Sequence, residues 1–241
     1  MMNELSIIVP YEASTETLPA FIDDLSTYLM ENPADIDVIV VANESAGLNQ
    51  ADLKALRSKY PWLKFNILLR KKYHAYGALV RFGIAYSSSR YVLVISPYGE
   101  DDLSVIGQML KEMRQGAQLV QTTRVANERD RRIESVRFRA YQDIYRFLIR
   151  VLLGCSIKDS TYMFKMFDRP LVQALGLSQN GYSISPEITL KVFLAGGKIS
   201  SISSTMKIAP INQNFKLYRE GLGFGWVLWQ GFLHRVGIAW F

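Results

Sequence analysis

Three carboxylates stand in a row at Glu100, Asp101 and Asp102, just after a short β-branched run, Tyr91 to Ile95, that stops at Ser96-Pro97. Oxygen ligands so placed suit a divalent cation such as magnesium or manganese. The alternative is structural: Asp101 or Asp102 caps the helix expected from Leu103 to Met113. A second chemistry is offered by the stretch from Glu128 to Arg150, which carries seven arginines, Arg137 and Arg139 among them, and few acidic partners. Guanidinium forks match phosphate oxygens, whereas the bland reading of such a run is a solvated helix face. Asp159 can orient neighbouring groups, or cap a helix or turn.

These residues need a scaffold, and the hydrophobic pattern supplies one. Leu5 to Pro10, Asp37 to Ala42, Lys64 to Leu69 and Tyr91 to Ile95 read as strands, with helical patterns from Leu18 to Leu29, from about Asn49 to Lys59, and around Gly77 to Gly83 between them. Strands alternating with helices predict right-handed crossovers and a mostly parallel sheet flanked by helices, Rossmann-like, with ligands at the carboxyl ends of the strands. Pro10, Tyr11 and Glu12, then Asn43 and Glu44, then Ser96 to Asp102 share that rim. Gln118 to Thr123 adds a strand with Arg124 at its end. Beyond the basic stretch come a strand from Thr161 to Phe167, helices opening at Pro170 and near Pro186, and a strand from Lys198 into Ile202.

The segment from Gly221 to Phe241 is a separate amphipathic, aromatic unit, expected to follow a main domain spanning 1–220. Gln230, His234 and Arg235 interrupt it, so it lacks the apolar run of a membrane-spanning helix. Its Trp and Phe residues suit a membrane interface; the other reading is a helix packed on the domain or in an oligomer contact.

With 241 residues and 49% hydrophobic content the chain can bury a large core. Lys and Arg total 28 against 22 Asp and Glu, a net charge of +6 that suits phosphorylated ligands or an anionic surface. The basic residues are not interleaved with stacking aromatics, which argues against nucleic acid as a partner. A single cysteine, Cys155, excludes an internal disulfide, and the start of the chain lacks a signal-peptide pattern, so a cytoplasmic setting is expected.

The order of these pieces resembles glycosyltransferase family 2, the inverting transferases of GT-A fold, and within it the polyprenyl-phosphate sugar synthases. The opening strand, loop and helix are similar to LSIIVPYEASTETLPAFIDDL, and DVIVVANESAG falls at the family's Asp-Asp-Gly-Ser loop. GAQLVQTTR resembles the family's Gly-Ala-Asp-x-Val-x-Gly-x-Arg, and KDSTYMFKMF its Asp-x-Thr-Ser-Gly-Phe-Arg. NFKL, with Lys216, is similar to Ser-Lys-Leu. The chain departs from the pattern at the donor site. The Asp-x-Asp positions align with Ser96 and Tyr98, the loop aspartates with Ala42 and Asn43, and the first-loop glutamate with Ser14. The Glu100 to Asp102 triple restores the metal ligands if the alignment shifts locally.

The resemblance implies a nucleotide-sugar donor bound by Pro10, Tyr11, Glu12, Asn43, Glu44, Ser96, Tyr98 and Lys216. It implies Arg124 and Asp159 at the reacting centre, and a lipid-phosphate acceptor held by Arg137 and Arg139. The protein is then expected to act peripherally at the cytoplasmic face of a membrane, as a monomer or homo-oligomer. The same departures support a second expectation, a catalytically inactive scaffold or binding subunit in glycan assembly.

Overall fold

The computed structural model describes residues 3–12, 17–32, 35–43, 50–61, 65–70, 75–123, 136–204 and 217–241. Its elements run β1 (Leu5–Tyr11), α1 (Thr17–Glu31), β2 (Ile36–Asn43), α2 (Gln50–Lys59), β3 (Phe65–Arg70), α3 (Tyr76–Tyr86) and β4 (Tyr91–Val94). A 3-10 turn (Leu103–Val105) leads into α4 (Ile106–Arg114), followed by β5 (Leu119–Thr123), α5 (Val136–Leu153), β6 (Lys165–Asp168) and α6 (Arg169–Ala174). The chain ends with α7 (Ile184–Leu194), β7 (Ile199–Ser203) and α8 (Leu217–Arg235).

The seven strands form one sheet in the order β3-β2-β1-β4-β6-β5-β7. All pairings are parallel except those of β6, which runs antiparallel to both β4 and β5. The expected mostly parallel sheet is therefore present. The strand expected from Thr161 is shorter and begins at Lys165, because residues 159–164 are spent on a turn.

Every residue of β1 and β2 is buried, as a parallel sheet covered on both faces requires. Alternate side chains sort between the layers. Leu5, Ile7, Val9 and Tyr11 join α1 and α4 on one face, while Ile8, Ile39 and Val41 join α3 and α7 on the other. Buried Ser6 and Ser89 both donate to Asp37 Oδ1, at 2.7 and 2.9 Å, so the polar groups inside this layer are satisfied. Gly77 lets α3 approach the 179–181 loop: a Cβ there would lie 2.6 Å from the carbonyl oxygens of Gln179 and Gly181. Cys155 is buried and free.

A third cluster joins α5, α7 and α8 through Tyr145, Ile149, Leu153, Leu190, Phe224, Val227 and Leu228. The last helix starts at Leu217, so it crosses the boundary expected at residue 221. Among the described residues no helix is long and apolar enough to cross a membrane.

Candidate functional site

The carboxyl ends of β1 and β4 lie side by side, Ile8 opposite Val94, which brings Pro10, Tyr11 and Glu12 towards the loop that starts at Ile95. Pro97 and the left-handed Gly99, at φ 75°, turn this loop back on itself. Asp101 then closes it: Oδ2 accepts from the Ser96 backbone N–H at 2.7 Å and Oδ1 accepts from the Tyr162 hydroxyl. Asp102 takes the capping role, accepting from Ser104 N–H at 3.1 Å and Ser104 Oγ–H at 2.8 Å at the head of the 3-10 turn.

Asp102 thus takes the capping role that the sequence allowed beside a metal-holding triple at Glu100, Asp101 and Asp102, and Asp101 closes the loop. Among the described residues no group of three His, Cys, Asp or Glu side chains could hold an ion. Asp101 uses both oxygens on these donors, Asp102 uses Oδ1 for both of its bonds, and Glu100 is buried.

An aromatic group surrounds Glu12. Tyr182 stacks on Tyr76, with ring centroids 4.5 Å apart and planes inclined at 14°, and its hydroxyl donates to Glu12 Oε2. The Tyr182 backbone N–H donates to Glu220 on α8 at 3.0 Å, so one residue links the donor rim to the last helix. Burial raises Glu12 to about 7, with the Glu220 charge adding to the shift and the Tyr182 hydrogen bond opposing it. Burial also holds the Tyr76 phenol well above its ordinary range, reinforced by the charges of Asp101, Glu12 and Glu100. Tyr98 is pushed up to about 12, by burial first and the Glu12 charge second. The Tyr76 and Tyr98 phenols are therefore neutral hydrogen-bonding groups near pH 7.

On the other side of the rim, β6 enters the sheet at Lys165, opposite Val94 of β4 and Gln121 of β5. The turn before it is organised by Asp159, whose Oδ1 accepts from Thr161 N–H, Thr161 Oγ–H and Tyr162 N–H at 3.0 to 3.2 Å. Lys165 is fully buried and ties this turn to α7, donating to Ser160 O (2.6 Å), Ser185 O (2.8 Å), Ser185 Oγ (2.9 Å) and Thr189 Oγ1 (2.6 Å). Asp159 also lines a cleft with Gln142, Arg146 and Lys158. Arg137 and Arg139 lie on the first turn of α5. Arg137 is exposed, and the half-buried Arg139 has an Nε with no hydrogen-bond partner among the described residues.

The structure thus brings Tyr11, Glu12, Tyr98, Glu100 and Asp101 onto one rim, with Asn43 buried at the end of the neighbouring β2. Glu44, Arg124 and Lys216 lie outside the described residues. Sequence reasoning missed Tyr76, Tyr162, Tyr182 and Lys165. Only Lys165 carried a signal, a cation opening an otherwise apolar strand.

The sequence matches the family described as Glycosyl transferase family 2 over residues 6–176, a span that runs from β1 through α6 and includes the carboxyl ends of β1, β2 and β4. The chain belongs to glycosyltransferase family 2. Its fold is GT-A, and solved structures agree. Glucosyl-3-phosphoglycerate synthase of Mycobacterium tuberculosis superposes with a TM-score of 0.68 at 18% identity, covering 98% of this chain and 82% of that one. The same enzyme in complex with Mn2+, uridine diphosphate and phosphoglyceric acid gives 0.66 at 18% identity, with 98% and 80% covered. Its complex with Mg2+ and uridine diphosphate gives 0.63 at 17%, with 98% and 80% covered. No curated protein matches the sequence.

Proposed function

We propose that this family 2 member is an inverting glycosyltransferase that moves a sugar from a nucleotide-sugar donor to a lipid phosphate of polyprenyl type at a membrane surface. The observation that carries the membrane part is an apolar surface with no partner on α5 and α8. Tyr218, Leu222, Trp226 and Trp229 stand exposed along α8, Leu222 at 79% and Trp229 at 50%, while Phe224, Val227 and Leu228 of the same helix are buried. Ile144, Phe147 and Val151 stand exposed on α5.

The two helices run side by side in the same direction, with Tyr145 against Phe224 and Leu153 beside Gly231. At about 100° per residue, their unburied arcs turn to the same side of the pair. Monomers seldom expose so many contiguous large apolar groups, and Trp and Tyr favour the bilayer interface. Arg137 and Arg150 are exposed on α5, which suits an anionic leaflet and therefore the cytoplasmic face.

The chemistry follows from the rim. The nucleotide lies near Tyr11, Glu12 and Asn43, and its diphosphate near Ser96 and Tyr98. The acceptor phosphate, held by Arg139 and Arg137 with Arg124, presents an ionised oxygen to the anomeric carbon. A new carbon–oxygen bond forms on the face opposite the departing diphosphate, whose carbon–oxygen bond breaks, so the configuration inverts. An ionised phosphate carries no proton to remove, so Asp159 acts as an orienting group rather than a base.

The neighbour complexes support a nucleotide and a phosphate-bearing acceptor, in that the mycobacterial enzyme is seen with uridine diphosphate and phosphoglyceric acid. A scaffold role is the second reading, favoured by the committed carboxylates of the 96–102 loop.

The test supplies uridine, guanosine and cytidine diphosphate sugars to the full chain with vesicles containing polyprenyl phosphate. The expected result is a lipid-linked sugar, with flotation and product both reduced several-fold in Trp226→Ser/Trp229→Ser. Transfer to 3-phosphoglycerate alone would overturn the lipid assignment, and no turnover with any donor would leave the scaffold.

A further inference from the structure

We propose that Glu12 meets the nucleotide-sugar as a neutral carboxylic acid, positioned by Tyr182 and donating a hydrogen bond to an acceptor oxygen of the ligand. The inference rests on the reading of the rim as a nucleotide site and specifies a recognition residue there. Glu12 follows β1 at the carboxyl end of the sheet, beside the loop after β4, where open α/β sheets hold their ligands. One of its oxygens is assigned: Oε2 accepts from the Tyr182 hydroxyl. Tyr182 is itself held at its ring and its backbone. The ring stacks on Tyr76 with centroids 4.5 Å apart, and the backbone N–H donates to Glu220 Oε2 at 3.0 Å. Gly181 gives Glu220 room to reach that N–H, since a Cβ there would lie 2.7 Å from the same oxygen. The Glu12 carboxyl is therefore oriented before any ligand arrives.

The surroundings decide its charge. The described groups that act on it are the Tyr182 hydroxyl from the loop before α7, the Tyr76 backbone N–H from α3, the Glu220 carboxylate from α8 and, on the 96–102 loop, Tyr98. Glu100 and Asp101 act on the adjacent Tyr76. The charged members of this described set are carboxylates. Burial and the Glu220 charge favour the proton while the two hydrogen-bond donors oppose it, which leaves the carboxyl at about 7. A diphosphate brings further negative charge, and like charges at close quarters favour the protonated form of a carboxyl. Binding then draws a proton from solvent onto Glu12, where it stays. With Oε2 facing the Tyr182 hydroxyl, Oε1 carries that proton and shares it with a ligand oxygen in a hydrogen bond, as a carboxylic acid kept neutral by its site can do.

The experiment is calorimetric titration of the full chain with uridine diphosphate glucose, guanosine diphosphate mannose and cytidine diphosphate glucose, with magnesium present throughout, from about pH 6 to about pH 8.5. The phosphodiester groups of these ligands do not titrate in that range, so the pH dependence belongs to the protein. The expected result is that one of them binds and that its Kd rises by up to about tenfold per pH unit above about pH 7, with about one proton taken up per nucleotide when heats are compared between buffers of different ionisation enthalpy. Tyr182→Phe keeps the ring stack and the backbone N–H but removes a donor that lowers Glu12, so the midpoint of this dependence should move to higher pH. A merely structural role would weaken binding equally at every pH, and an unmoved midpoint would overturn the part given to Tyr182. Glu12→Gln, which keeps a donor and cannot titrate, should make the affinity independent of pH. An affinity in the unsubstituted chain that is flat, or that rises with pH, would overturn the inference and leave the nucleotide site standing. Failure of every sugar nucleotide to bind at any pH, in protein that still melts cooperatively, would overturn both.

Discussion

Glu12 is where one side chain ties the stability of the rim to pH. Burial raises its carboxyl to about 7 from the ordinary 4.5, so the folded chain holds this proton more tightly than the unfolded chain does. Its contribution is therefore fully present below about pH 4.5 and is lost as pH rises through about 7. Glu12→Gln should remove that loss, flattening stability between those limits by about 2 kcal/mol after allowance for partial solvent access, as read from urea midpoints across the range. The types Glu12, Ser96, Tyr98 and Asp101 were legible in the sequence, and so was their place at strand ends. Their partners were not: Tyr182 meets Glu12 across 170 residues and Tyr162 meets Asp101 across 61, separations that no local pattern encodes. The carboxylate row read both as a metal site and as a cap, because spacing shows which oxygens are near one another, not which N–H groups they accept from.

At the scale of elements, the reversed strand β6 explains the site. Parallel strands all deliver their carboxyl ends to the rim; β6, inserted between β4 and β5 in the opposite sense, delivers its amino end there instead. That is why the turn around Asp159 reaches the 96–102 loop. Lys165 fixes the junction, and Lys165→Met should leave the Ser160 and Ser185 carbonyls and the Thr189 hydroxyl without their ammonium donor. The expected cost is about 3 kcal/mol in urea unfolding, since hydrogen bonds to a buried charge are the stronger kind. The sequence showed the strand's apolar residues but placed its start at Thr161, because Thr, Tyr and Phe favour extended structure as readily in a turn leading to a strand as in the strand itself. The helices were better marked: apolar spacing located α1, α5 and α7 within a few residues or with a ragged start.

The whole molecule has two contrasting surfaces, the polar rim and an apolar side that carries exposed Arg137 and Arg150. If vesicle binding combines both, salt should weaken only the electrostatic share, because the Debye length shrinks to about 3 Å at 1 M ionic strength while apolar burial persists. Flotation with anionic vesicles is expected to fall several-fold with added salt without vanishing, and Trp226→Ser/Trp229→Ser should remove the salt-resistant remainder. The sheet order has a consequence for how the chain is made. β1 is synthesised before both of its partners, yet it occupies an interior position with β2 on one edge and β4 on the other. Until residues 91–94 leave the ribosome, the second edge of Leu5–Tyr11 has no partner; at about 5–20 residues per second that is an interval of several seconds in which an apolar strand edge stands open to chaperones or to neighbouring nascent chains.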